Sequence, residues 1–227
     1  MPRALDLIAA LVAPGRCLHC RGPAGHGAAL LCEGCRAALP WLPVDGCPRC
    51  GLPRACAPGR CPGRRAAFAA AWAPLAYEGP ARSLAIAGKE RAARRVAPWL
   101  GAAMVARAPR GVTDGVSAVV PVPADPVRGR RRGEDHAALL AQAVGARLGV
   151  PVLPALVRRR TSAAQHRQDR AGRARTPPPD LAARPPDRVL LVDDVHTTGA
   201  TLRAAAAVLR DGGARRVTAL TALRALR

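Results

Sequence analysis

The stretch that most narrows the folds open to this chain is "RVLLVDDVHTTGATLRAAAAVLRDGG", residues 188–213. After its first residue, "RVLLV" (Arg188 to Val192) is a continuous apolar run, the pattern of a central parallel strand covered on both faces. The run ends at Asp193-Asp194 and passes through a small hydroxyl-and-glycine loop. "TLRAAAAVLRDGG" then reads as a helix that stops at Gly212-Gly213.

The rest of the chain extends this alternation. Between Pro62 and Gly111 the pattern is helical, with Leu84, Val96, Leu100, Met104 and Val105 at amphipathic spacing and Pro98 in the first turn of a second helix. "GVSAVVPVP" (Gly115 to Pro123) reads as a buried strand ended by its prolines. A basic loop, "ADPVRGRRRGEDH", leads to the helix "AALLAQAVGARLG", stopped by Gly149. "VPVLPALVRRR" is a short strand running into arginines, and the proline-rich segment after it (residues 158–187) lacks an apolar period and reads as a mobile loop. Strands alternating with helices imply an α/β domain with a mostly parallel sheet flanked by helices.

A small cysteine module precedes that domain, over residues 1–65 against 66–227. All eight cysteines fall before residue 62: Cys17 and Cys20, Cys32 and Cys35, Cys47 and Cys50, then Cys56 and Cys61. Two residues between cysteines form a tight turn that aims both thiolates at one tetrahedral ion, and two such turns close a site. Sequence order gives one zinc on Cys17, Cys20, Cys32 and Cys35 and a second on Cys47, Cys50, Cys56 and Cys61; interleaved pairing stays open. The competing disulfide framework needs an oxidising compartment. The apolar start "LDLIAALVAP" contains Asp6 and has no evident cleavage site, so it reads as a short amphipathic helix rather than a signal peptide. The expected location is the cytoplasm, without membrane insertion, and His19 and His26 are expected to be solvated.

Charge adds a second constraint. The net charge of +21 comes from 36 basic residues, of which Lys89 is the only lysine, and the pI is near 11.6. Such a field attracts polyanions, but so many arginines beside alanine, glycine and proline also fit a compositional bias. Aromatic residues are 2% of the chain. Trp41, Phe68, Trp72, Tyr77 and Trp99 therefore make at most a small stacking surface for bases.

The acidic pair and the loop carry the chemistry. Ligands of open α/β sheets bind at the carboxyl ends of strands, where Asp193 and Asp194 stand. Thr197, Thr198 and Thr201 supply hydroxyls, Gly199 permits close backbone approach, and the helix opening at Ala200 presents free amides and a positive dipole end to a phosphate. Carboxylates beside a phosphate cradle suit a sugar phosphate with vicinal hydroxyls. The bland counterpart, a solvated turn or helix cap after the strand, does not require the Thr-Thr-Gly-x-Thr run. His196 reads as a bystander, and Arg158 to Arg160 as a solvated charge run.

"VLLVDDVHTTGAT" resembles the phosphoribosyl-pyrophosphate motif of type I phosphoribosyltransferases. Together with the CxxC pairs and the "PVP" strand, the whole chain resembles the ComF family, competence-associated proteins that join a zinc module to such a domain. That family's R-x-R-G segment is matched by Arg130, Arg132 and Gly133, and its KERG-like segment by Lys89, Glu90 and Arg91. Its T-x-x-Q-like region is approximated by Thr161 and Gln165. Glu134-Asp135-His136 stands where members often carry Phe-Asn-Gln.

The resemblance implies phosphoribosyl pyrophosphate held with Mg²⁺ by Thr197, Thr198, Gly199, Ala200, Thr201, Arg130 and Arg132, with Asp193, Asp194 and Lys89 as catalytic residues. Transfer to an unidentified acceptor would make the chain a glycosyltransferase. The other function class it implies is handling of single-stranded DNA during DNA uptake, with competence-machinery partners and the sugar-phosphate site as sensor or scaffold.

Overall fold

Two nine-residue strands form the centre of the molecule. In this computed structural model, which describes residues 15–25, 29–89, 93–124, 135–158 and 178–226, β6 (Arg188–His196) pairs in parallel with β7 (Arg216–Arg224) along their length, from Arg188↔Arg216 to His196↔Arg224. On the other side of β6 lies β3 (Ala118–Pro121), also parallel. Beyond β7 the edge is shared by β1 (Ala70–Trp72) and β2 (Leu75–Ala76), both parallel to it. The sheet order is β1–β7–β6–β3, with β2 pairing β7. Val152 adds a parallel bridge to Val119.

Alternating side chains feed two apolar layers, as a sheet covered on both faces requires. Leu190, Val192, Leu220 and Val119 face α2 (Gly79–Gly88), α3 (Ala93–Arg107) and α5 (His136–Leu148) through Leu84, Leu100, Met104, Leu140 and Val144. Val189, Leu191, Val120, Val217 and Ala219 face α6 (Ala200–Asp211) through Leu202, Ala205, Ala206 and Leu209. The first layer continues into the cysteine-rich segment: Cys17, Leu30, Leu31 and Leu39 belong to it. Two short helices complete the set, α1 (Glu33–Ala37) and α4 (Arg110–Thr113).

The α/β architecture agrees with the sequence reading, and four local expectations are corrected. The span from Pro62 to Gly111 is not wholly helical: "AAW" and "LA" become β1 and β2 because β7 offers an open ladder there. The central strand continues through Asp193 and Asp194 to His196, since Thr221, Leu223 and Arg224 of β7 supply partners beyond Val192. Pro98 lies inside α3 rather than in its first turn. It forfeits one amide bond toward Arg94, a loss set against the burial of Val96, Ala97, Leu100 and Met104. Within the proline-rich segment, β5 (Asp180–Leu181) pairs antiparallel with β4 (Leu156–Val157). β7 itself was not anticipated.

Candidate functional site

At the carboxyl edge of the sheet, four elements bring their ends together. β6 carries Asp193 and Asp194 on its last turn of pleat, and the loop Thr197–Gly199 connects it to α6. α2 ends beside them, so that Lys89, the residue capping its last turn, places Nζ 2.5 Å from Asp194 Oδ2. The two carboxyl groups are inequivalent. Asp193 Oδ1 accepts the Asp194 amide at 2.8 Å, and burial, then the adjacent Asp194 charge, pushes the Asp193 carboxyl well above its ordinary range. Asp194 instead holds a cation, which shows that this acidic edge accepts positive charge.

The loop is built to present backbone. Gly199 caps α6 in the left-handed region (φ 73°), and an added Cβ would fall 2.6 Å from His196 Nε2. No side chain caps this helix from position 199, while Thr197, Thr198 and Ala200 are exposed. The exposed Thr197 and Thr198 and the head of α6 thus border solvent, with the Ala200 amide donating to Thr198 Oγ1 at 3.4 Å in the free protein, an arrangement that favours an anion.

Two arginines brace the loop from behind, and neither was singled out from sequence. Arg224 is buried and donates through Nη1 to the carbonyls of His196 (3.1 Å) and Thr197 (2.9 Å). Arg203 Nη1 donates to the Thr198 carbonyl at 2.8 Å. The available signal for Arg224 was a single charge closing the apolar run "VTALTAL". His196 is turned inward, edge-on to Phe68 at 6.5 Å, and burial followed by the Arg224 and Arg203 charges lowers it to about 3. Arg130 and Arg132, like Glu90, Arg91, Gly133, Glu134, Thr161, Gln165 and His26, lie outside the described residues. Arg158, expected to be solvated, donates to the Pro123 carbonyl at 3.1 Å.

The cysteines resolve into the sequence-order sets, Cys17, Cys20, Cys32, Cys35 and Cys47, Cys50, Cys56, Cys61, with the ligand atoms of each within 4.8 Å of one another. Sulfur separations are 3.7 Å for Cys20–Cys32, 3.8 Å for Cys47–Cys61 and 3.5 Å for Cys50–Cys56. A zinc tetrahedron with bonds of about 2.3 Å has edges of about 3.8 Å, so both sets fit that ion; a disulfide would need about 2.05 Å. Burial opposes ionisation of Cys17, but the amides of Cys32, Cys20 and His19 outweigh it and bring the thiol to about 6; the amides of Cys50 and Arg49 do the same for Cys47. Cys35 is pushed up to about 12, first by the Cys32 thiol, and burial pushes Cys50 up as well. Each set therefore holds its protons unevenly, a conflict that a divalent cation removes. His19 is outside the cluster and bonds Ser83 Oγ at 2.9 Å.

Comparison with solved structures adds a likeness of fold. The chain is similar to an orotate phosphoribosyltransferase from Aeropyrum pernix, at 22% identity and a TM-score of 0.36, covering 62% of each chain. No protein-family model matches the sequence, and no curated protein does.

The DNA-facing expectations meet a constraint. Phe68 (1% exposed) and Trp72 (4%) are core residues and are not available for stacking. Trp41 remains exposed, 6.4 Å from Trp99 and beneath the Arg107 guanidinium at 4.5 Å. No helix among the described residues is long and apolar enough to cross a membrane.

Proposed function

We propose that this chain is a ComF-like phosphoribosyltransferase that binds phosphoribosyl pyrophosphate and transfers its phosphoribosyl group to an acceptor. The observation that carries this reading is the convergence of an acidic pair, a lysine and a backbone-braced Thr-Thr-Gly-x-Thr loop on one sheet edge. In this reading the loop amides and the hydroxyls of Thr197, Thr198 and Thr201 hold the 5′-phosphate, while Asp193 and Asp194 accept hydrogen bonds from the ribose hydroxyls. As the bond from the anomeric carbon to pyrophosphate breaks, positive charge grows on the ribose ring beside the carboxylates, which favour it. Lys89 leaves Asp194 to meet the departing pyrophosphate, with Arg130 and Arg132 assisting. Magnesium bound with the ligand would be held chiefly by pyrophosphate and ribose oxygens and water, and would neutralise the pyrophosphate charge. The two cysteine sets hold structural zinc, in an N-terminal module that gives way along the chain to the transferase domain near residue 65 and packs on its apolar layer.

Calorimetric titration with phosphoribosyl pyrophosphate and Mg²⁺ tests the reading. The parent should show saturable binding that the Asp193→Asn/Asp194→Asn variant loses; equal affinity in both would remove the acidic pair from the site.

A second reading, handling of single-stranded DNA, draws on the +21 charge and the exposed Trp41–Arg107 contact. It predicts DNA binding that survives the aspartate substitutions, falls steeply with salt and weakens when Arg128, Arg130, Arg131 and Arg132 are neutralised. Undiminished binding in that arginine variant would remove the basic loop from the account.

A further inference from the structure

His136 is the least expected group near the site. It is 7% exposed, and neither Nδ1 nor Nε2 has a hydrogen-bond partner among the described residues. A buried imidazole normally satisfies at least one nitrogen, because a dry, unpaired polar group destabilises the fold. Two local features hold it there nonetheless. Asp135 caps α5, its Oδ1 accepting from the amides of Ala137 (3.0 Å) and Ala138 (3.2 Å), which fixes residue 136 at the head of the helix. Across from it Gly88 makes room: a Cβ at that position would lie 2.4 Å from His136 Cε1 and 2.8 Å from Nε2.

Gly88 immediately precedes Lys89, whose ammonium is engaged by Asp194. The ring lies within electrostatic reach of both partners of that ion pair. Burial keeps it neutral, Asp194 and Asp135 favour its protonation, and Lys89 opposes it. A neutral imidazole without a hydrogen-bond partner among the described residues therefore packs on the end of α2, one residue from a lysine whose present partner is a carboxylate.

We propose that His136 is a positioning residue, whose lone pair holds the Lys89 ammonium when a ligand claims Asp194. This inference rests on the ribose-phosphate reading and adds the step that reading lacks. Asp194 cannot serve the ribose hydroxyls and neutralise Lys89 at once. A second carboxylate as the replacement anchor would cancel the lysine charge, whereas a neutral ring takes one of three N–H bonds and leaves the charge and two donors for pyrophosphate. The nitrogens left without a partner among the described residues are then the cost of a contact made only with ligand present.

The test compares the parent with His136→Leu and His136→Gln, by thermal unfolding without ligand and by calorimetry with phosphoribosyl pyrophosphate and Mg²⁺. Leucine removes the unpaired nitrogens, so the free His136→Leu protein should melt roughly 2–4 °C above the parent. The same variant should bind ligand about tenfold more weakly, about 1.4 kcal/mol, and His136→Gln, which keeps a neutral acceptor, should recover most of that affinity. A merely structural histidine would move stability and affinity in the same direction. A lowered melting temperature for His136→Leu, or parent-like affinity, overturns the inference. Failure of the parent itself to bind overturns the ribose-phosphate reading and this inference with it, a result distinct from a parent and leucine variant that bind alike.

Discussion

Gly199→Ala puts the construction of the loop to a quantitative test. At φ 73° an alanine pays about 1–2 kcal/mol for the left-handed conformation. Its Cβ would also lie 2.6 Å from His196 Nε2, 3.3 Å from Cδ2 and 3.4 Å from Arg203 Nη1. His196 cannot swing aside freely, being 4% exposed and packed edge-on to Phe68, so overpacking adds about 1–3 kcal/mol. Against these, alanine restricts the unfolded chain and returns about 0.4–1 kcal/mol. The net expectation is a destabilisation of about 1–5 kcal/mol, read as a lowered urea midpoint at unchanged slope. Repeating the substitution in a His196→Ala background separates the contributions: the steric share should vanish while the backbone share stays, giving a coupling of about 1–3 kcal/mol. A loss below about 0.5 kcal/mol for Gly199→Ala, the range of an ordinary surface change, or no coupling to His196, would refute the reasoning.

Arg224→Met removes two charge-assisted bonds to the loop carbonyls and should cost about 2–4 kcal/mol, with faster amide exchange confined first to Thr197 and Thr198; unchanged exchange there would show that Arg224 does not brace the loop. His196, depressed to about 3 in the folded state, binds its proton only on unfolding. Its contribution is therefore intact above about pH 6.5 and is lost as pH falls from there toward 3, by up to about 1.4 kcal/mol per pH unit. The acid limb of stability against pH should flatten in His196→Gln, and an identical limb would rule this histidine out. Elemental analysis of folded protein should find close to two zinc ions per chain, and chelation should lower the melting temperature; folded, metal-free protein would defeat the structural-zinc assignment.

Local pattern was enough for some of this protein and insufficient for the rest. The continuous apolar run of β6, the small-residue loop and the amphipathic α6 are neighbours in sequence, so their order alone implied a parallel-sheet edge with an anion-facing helix start. The CxxC turns likewise declared metal-ligand geometry within four residues each. Only tertiary structure chose the sequential cysteine partition over an interleaved one, because that depends on how the turns pack on Leu30, Leu31 and the sheet. β1, β2 and the continuation of β6 past its acidic pair arise from the open ladder of β7, a partner up to 148 residues away in the register Ala70↔Thr218. The same holds for the site: Lys89, His136 and Arg224 come from three separate elements, and nothing in their local sequence states that α2, α5 and β7 end within reach of Asp194 and the loop. Short-range periodicity decides what each segment becomes, whereas the burial shared by two apolar layers decides which segment ends meet.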